Sequence, residues 1–222
     1  DNGARRKLGD MLVKGEGGDV DFAAGTALVE AVADMGDAGA LIQLGDYFSR
    51  PQYGELDPER AAGYYRRAAA AGNAGALVKL GDMYRTGLPG LPADADQAMA
   101  FYEDAIAQGD NGARRNLAGM LLSGQGVPVD PERGVALLEE AIAAGDAGAA
   151  ITLANAYQSG QGVAIDGERA VLLLEPLVAQ GNRGAINALG NLYRAGAGAV
   201  GRDPAQARTL FAQLAELGDN GA

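Results

Sequence analysis

The chain has 222 residues, a net charge of −11, 35 glycines, 5% aromatic residues, and neither cysteine nor histidine. This excludes a disulfide framework, a zinc or haem site, a thiol nucleophile and every histidine-based acid–base mechanism, while the negative field would repel a nucleic-acid backbone or an anionic bilayer. No apolar run approaches the ~20 residues of a spanning helix, and Asp1 opens neither an initiator Met nor a basic and apolar leader, so the sequence is read as soluble, either mature or a fragment.

An internal repeat organises everything that follows. The dipeptide Gly-Ala recurs at Gly3, Gly39, Gly75, Gly112, Gly148, Gly184 and Gly221, spaced by 36 or 37 residues. The expected repeats are 3–38, 39–74, 75–111, 112–147, 148–183 and 184–220, in a single repeat domain over 1–222. In each, a helix A opens near Gly-Ala and carries a Leu (Leu8, Leu44, Leu80, Leu117, Leu153, Leu189) with Leu12, Phe48, Tyr84, Leu121, Tyr157 or Tyr193 one turn later. Gly9, Gly45, Gly81, Ala118, Ala154 or Gly190 follows that Leu directly, a choice that lowers helix propensity and makes sense where another helix packs closely.

A loop follows, and then an Asp (Asp21, Asp57, Asp94, Asp130, Asp166, Asp203) with a Gly always 15 residues beyond it. This Asp-to-Gly unit predicts helix B: Asp caps it, Pro58, Pro131 and Pro204 occupy its first position, and Gly ends it. Leu28/Val29, Tyr64/Tyr65, Phe101/Tyr102, Leu137/Leu138, Leu173/Leu174 and Leu210/Phe211 share its apolar face with a small residue one turn earlier. Because the Asp-to-Gly distance never changes, the extra residue of the longer copies must lie in the loop.

Neither helix can bury its stripe alone, so the hairpins must stack: the expected fold is all-α, an α-solenoid of six 36–37-residue helix-turn-helix repeats. Copy two replaces the glycine loop by Arg50-Pro51-Gln52-Tyr53-Gly54, and copy three by Gly87-Leu88-Pro89-Gly90-Leu91-Pro92, so both loops should project differently. Pro176 falls inside helix B of copy five, where a local bend is expected. Asp-Asn-Gly-Ala stands at 1–4, 110–113 and 219–222, a triplet super-repeat of 109 residues. Helix B of copy six exposes Leu210, Phe211, Leu214 and Leu217 with nothing after it, which reads either as a piece of a longer array or as an end covered by another molecule.

Gly148-Ala149, Leu189-Gly190, Tyr193, Gly124-Gln125-Gly126-Val127 and Asp130-Pro131 together resemble the Sel1-like repeat, a relative of the tetratricopeptide repeat, over essentially the whole chain. The resemblance implies a right-handed superhelix with a concave face, a scaffolding role, and a bacterial source with the cell envelope as a compartment. Lacking Cys suits cytoplasm and periplasm alike.

Beside the helix-A row Asp10, Asp46, Asp82, Gly119, Asn155 and Asn191, read as solvated surface, runs a mixed strip. Its members Lys7, Met11, Gln43, Tyr47, Lys79, Met83, Asn116, Met120 and Thr152, with Leu192, and with Asn155 and Asn191 from the row, are the candidate partner-binding residues. Exposed Met and Tyr would adapt to or anchor a partner, and by family analogy the strip lines the concave groove. The basic clusters Arg5-Arg6-Lys7, Arg66-Arg67 and Arg114-Arg115 are expected to pair with acids on adjacent helices.

Gly15-Glu16-Gly17-Gly18 and Gly124-Gln125-Gly126 lack the preceding strand and following Lys-Ser or Lys-Thr of a phosphate loop. Asp19 with Asp21, and Asp94 with Asp96, lack calcium-ligand spacing, and no serine has a base. No catalytic, cofactor or metal residue is assigned. The expected function is a noncatalytic scaffold that binds a protein or peptide. A structural block stacking end to end through Leu210, Phe211, Leu214 and Leu217 is the alternative, and a cell-wall-directed enzyme comes last, because the acids lie only on repeat surfaces.

Overall fold

The structure, a computed structural model, describes residues 1–54 and 56–219. It forms two compact units, Asp1–Asp110 and Asn111–Ala222. The first contains α1 (Asn2–Lys14), α2 (Phe22–Ala33), α3 (Ala38–Ser49), a 3₁₀ turn (Pro51–Tyr53), α4 (Pro58–Ala70), α5 (Ala74–Thr86) and α6 (Ala95–Ala107). The second contains α7 (Asn111–Ser123), α8 (Pro131–Ala143), α9 (Ala147–Ser159), α10 (Gly167–Ala179), α11 (Arg183–Ala195) and α12 (Pro204–Asp219). Odd-numbered helices are the A helices of the repeat and even-numbered ones the B helices. The described residues form no strand; two isolated bridges, Leu88 with Leu91 and Ala197 with Val200, close the loops of the two longer copies. Copy three therefore shares its loop form with copy six, while copy two alone uses the 3₁₀ turn.

One residue builds each hairpin. The carboxylates of Asp21, Asp57, Asp94, Asp130, Asp166 and Asp203 accept from the backbone N–H three residues on, at 2.9–3.0 Å, satisfying a donor that helix B leaves open. The same aspartates donate their own N–H to the carbonyls of Leu12, Phe48, Tyr84, Leu121, Tyr157 and Tyr193 near the end of helix A, at 2.7–3.0 Å. Each Asp thus ties both helices of its copy together. Helix A has caps of its own that the Gly-Ala marker missed: Asp37, Asn73, Asp146 and Asn182 accept from the first-turn amides of α3, α5, α9 and α11.

Closing glycines such as Gly72 (φ 84°) and Gly145 (φ 86°) turn the chain from one copy into the next in a conformation that a side chain disfavours. Gly218 departs from this expectation, because α12 runs through it to Asp219. At Pro176, where a bend is expected, the helix continues three residues further. The carbonyl deprived of a donor there belongs to Leu172, whose residue lies at the surface, where water can replace the bond.

The repeated Leu forms the core as expected in five copies: Leu44, Leu80, Leu117, Leu153 and Leu189 are buried. Leu8 is the exception at 50% exposed, although periodicity gives it the same helical face. The small residue after that Leu matches the side chain that helix B brings against it. Gly45 faces Tyr65, Gly81 faces Tyr102 and Gly190 faces Phe211, and a Cβ at Gly81 would lie 2.5 Å from the Tyr102 ring. Where helix B supplies Leu138 or Leu174, the position is Ala118 or Ala154. In copy one Gly9 approaches the backbone of Gly25, and a Cβ there would meet the Gly25 carbonyl at 2.7 Å.

Candidate functional site

In the first unit a groove of about 540 Å³ opens between α1 and α3. Arg6, Lys7, Asp10 and Lys14 come from α1, Ile42, Gln43, Asp46 and Tyr47 from α3, and Arg50 and Tyr53 from the segment after it. Four of these side chains are cationic and two anionic, so the groove is locally basic in a strongly acidic chain.

The acids are already engaged. Asp10 accepts from Lys14 Nζ (2.7 Å) and Tyr47 Oη (2.7 Å). Burial alone would raise its pKa, but hydrogen bonds from Lys14 and Tyr47 outweigh this and hold the carboxyl below its usual value. Asp46 accepts from Tyr65 Oη (2.7 Å) and Lys79 Nζ (2.9 Å), with Arg50 at 3.6 Å. Arg6 bonds Asp37 (3.3 Å) and Gln43 (3.2 Å), and Gln43 in turn meets Tyr47. Lys7, exposed at the rim, has no hydrogen bond or ion pair among the described residues.

The helix-A acids are therefore an acceptor row for buried phenols rather than the solvated surface expected. Asp82 repeats the arrangement with Tyr102 Oη at 2.7 Å. In copy one Val29 replaces the tyrosine of helix B, and Asp10 takes Tyr47 of the next hairpin instead. The second unit lacks the system: its helix-A row reads Gly119, Asn155, Asn191 opposite Leu138, Leu174, Phe211.

The candidate strip is also less exposed than its sequence implies. Tyr47 (2%), Met83 (6%), Met120 (1%) and Leu192 (0%) are buried, which corrects the expectation of exposed Met and Tyr. Helix A spends that face on the neighbouring hairpin, as the bond from Tyr47 to Asp10 illustrates. Lys7 and Asn155 are exposed, and Met11, Gln43, Lys79, Asn116, Thr152 and Asn191 are half-buried. Lys7, Gln43 and Tyr47 line the α1/α3 groove, while Lys79 and Met83 line a neighbouring one with Asp46 and Asp82. Leu210, Phe211, Leu214 and Leu217 are half-buried, with Phe211 on Gly190. The basic clusters pair as expected for Arg6 with Asp37, Arg67 with Asp34, Arg114 with Glu140 and Arg115 with Asp146, and Arg66 bonds the Tyr84 hydroxyl. Arg50 and Tyr53 were missed as groove residues, and Asp37 as the partner of Arg6; their signals were the departure of the copy-two loop and the Asp or Asn that follows each closing glycine.

Hairpins joined by one aspartate, packed through a Leu–Gly seam and opening polar grooves between A helices, define a helical-repeat solenoid. The Sel1 repeat family model matches residues 38–73, 74–110, 112–146, 147–182 and 184–219. The chain belongs to the Sel1 repeat family, whose members generally act as protein-interaction scaffolds. The Sel1 repeat protein from Oxalobacter formigenes is 25% identical, over 96% of this chain and 85% of that one, with a TM-score of 0.71. The protective antigen c5321 of uropathogenic Escherichia coli, which displays an SLR fold, is 27% identical over 99% of this chain with a TM-score of 0.67, and this chain spans 47% of its length. The immunity protein Pa5087 from Pseudomonas aeruginosa, 17% identical over 97% of this chain and 81% of that one, shares the fold with a TM-score of 0.58. No curated protein matches the chain. Among the described residues no helix is long and apolar enough to cross a membrane.

Proposed function

We propose that the chain is a noncatalytic scaffold whose α1/α3 groove holds an acidic stretch of a protein partner. The observation that carries this reading is the charge arrangement of the groove. Its acids are occupied by Lys14, Lys79, Tyr47 and Tyr65, leaving Lys7 without a partner and Arg50 only loosely engaged beside them. The positions 109 residues on keep the structural pair Arg115–Asp146 but replace Lys7, Lys14 and Arg50 by Asn116, Ser123 and Ser159. The cations of the first unit are thus not a requirement of the repeat.

The test is fluorescence anisotropy of a labelled ten-residue glutamate peptide against the intact chain. Lys7→Glu with Arg50→Glu should weaken binding at least ~10-fold, given that each charge-assisted bond is worth about 1.5–3 kcal/mol, and a lysine peptide of equal length should not bind. Unchanged affinity in the double variant would move the interface elsewhere. Tyr47→Ala is no test of the groove surface, because Tyr47 is a packing residue.

A second reading, end-to-end stacking, draws support from Leu8, half exposed where its counterparts are buried. If it holds, light scattering should give a mass that rises with concentration and that Leu8→Glu returns to the monomer value. A concentration-independent monomer removes this reading and leaves the groove untouched.

A further inference from the structure

The two units differ at one position in a way that points to a ligand. In the first, the space between α2 and α4 is closed from within: the Tyr64 ring stacks on Phe48 (centroids 5.9 Å apart, 21° between planes) and its hydroxyl donates to Glu30 at 2.5 Å. Arg60 lies over Phe48 at 4.1 Å and also bonds Glu30. The residues 109 further on are Tyr157 for Phe48, Arg169 for Arg60, Glu139 for Glu30 and Leu173 for Tyr64.

In the second unit Arg169 keeps its place over the ring, 5.6 Å from the Tyr157 centroid, but bonds Asp166 (3.2 Å) and the Tyr157 hydroxyl (3.3 Å). Leucine is shorter than tyrosine and carries no donor, so Leu173 cannot reach Glu139, which has no hydrogen bond or ion pair among the described residues. The consequence is an open trench between α8 and α10, floored by Tyr157, with spaces of about 690 and 520 Å³ on either side of Arg169. Ile165 and Leu172, 54% and 69% exposed, stand at its margins.

We propose that this trench is a second docking site and that it takes a tyrosine side chain of a protein partner, ring against Tyr157 and hydroxyl on Glu139. The chain supplies its own template, since Tyr64 satisfies the same aromatic floor and the same carboxylate in the first unit. Arginine is not the missing group, because Arg169 already holds the guanidinium position. A second carboxylate at the rim, Glu132, likewise without a hydrogen bond or ion pair among the described residues, favours a neutral or cationic segment over an acidic one. The site lies wholly within the second unit, so it stands or falls independently of the α1/α3 groove.

The experiment is a titration of the intact chain with N-acetyl-tyrosinamide, N-acetyl-phenylalaninamide and N-acetyl-leucinamide, read on the methyl resonances of Ile165, Leu172 and Leu173. The tyrosine amide should shift these signals saturably and bind at least about tenfold more tightly than the phenylalanine amide, the worth of one hydrogen bond to a carboxylate. Glu139→Gln should bring the tyrosine amide to the phenylalanine value. Leu173→Tyr, which writes the first unit's plug into the second, should abolish binding. Equal shifts from all three amides, no saturable shift, a ratio unmoved by Glu139→Gln, or undiminished binding to Leu173→Tyr would overturn the proposal. If Leu173→Tyr loses its helical circular dichroism, the surface variant Glu139→Gln decides alone. Methyls of Ile42, recorded together, report separately on the α1/α3 groove.

Discussion

Gly81→Ala is expected to destabilise the first unit by about 2 kcal/mol, although alanine is the better helix former by about 1 kcal/mol. The new methyl would lie 2.5 Å from Tyr102 Cε1 and 2.7 Å from Cδ1. The ring has no room to yield: Tyr102 is fully buried, and its hydroxyl is held by Asp82 at 2.7 Å and Arg85 at 3.2 Å. In a thermal melt followed by circular dichroism the midpoint should fall by roughly 4–8 °C. The repeat contains its own remedy, because copy five pairs Ala154 and Asn155 with Leu174. Gly81→Ala combined with Asp82→Asn and Tyr102→Leu should therefore recover most of the loss. An unchanged midpoint in the single variant, or a triple variant no better than it, would show that the size match is not what selects glycine.

Raising the pH should unfold the first unit before the second. Burial raises the pKa of Tyr47, Tyr65 and Tyr102, and the carboxylate that each phenol faces (Asp10, Asp46 and Asp82) raises it further. A folded-state pKa above the unfolded one means that the fold favours the protonated form. The stabilisation is complete below the unfolded value near 10 and is lost as pH climbs from there through the folded values. Every tenfold weakening of a phenol's acidity on folding corresponds to about 1.4 kcal/mol, and Tyr64 beside Glu30 is shifted in the same direction in the same unit. Melts between pH 8 and 12, with phenolate absorbance recorded in parallel, should show helix loss coinciding with tyrosine ionisation. Tyr65→Phe with Tyr102→Phe should move that loss to higher pH, whereas an identical alkaline midpoint would assign it to a group other than these phenols.

The hairpins were legible in the sequence because each determinant is local: an Asp cap, a Gly turn, and a Leu with its small neighbour at fixed spacing. What escaped was any property that depends on which helix arrives opposite. Helical period placed Leu8 with Leu44, yet burial depends on what packs against each, and Leu8 is half exposed while Leu44 is fully buried. The same blindness made Tyr47 and Met120 look like surface and Asp46 look idle. A subtler signal was present. Asp46 and Asp82 occur with Tyr65 and Tyr102, amides or glycine occur with Leu or Phe, and Gly or Ala follows the ring or the leucine across the seam. Reading residue pairs across copies, rather than one column at a time, would have placed the polar row inside the packing.

The aspartate that joins each hairpin also decides where such a chain can change. Its carboxylate and its amide fix the start of helix B to the end of helix A by two bonds that bypass the loop. The loop tip between them is consequently the part that can vary, while residues such as Val127 and Ala197 at its base stay buried, and in this one chain the loop already takes a glycine-rich form, a 3₁₀ turn and a bridged turn with an added residue. Foreign sequence inserted between Leu88 and Leu91 would emerge as a surface excursion while the hairpin beneath kept its register. Evolution and the protein engineer thus have the same ground for novelty, the loop tip of each repeat, provided the loop residues buried beneath it are kept.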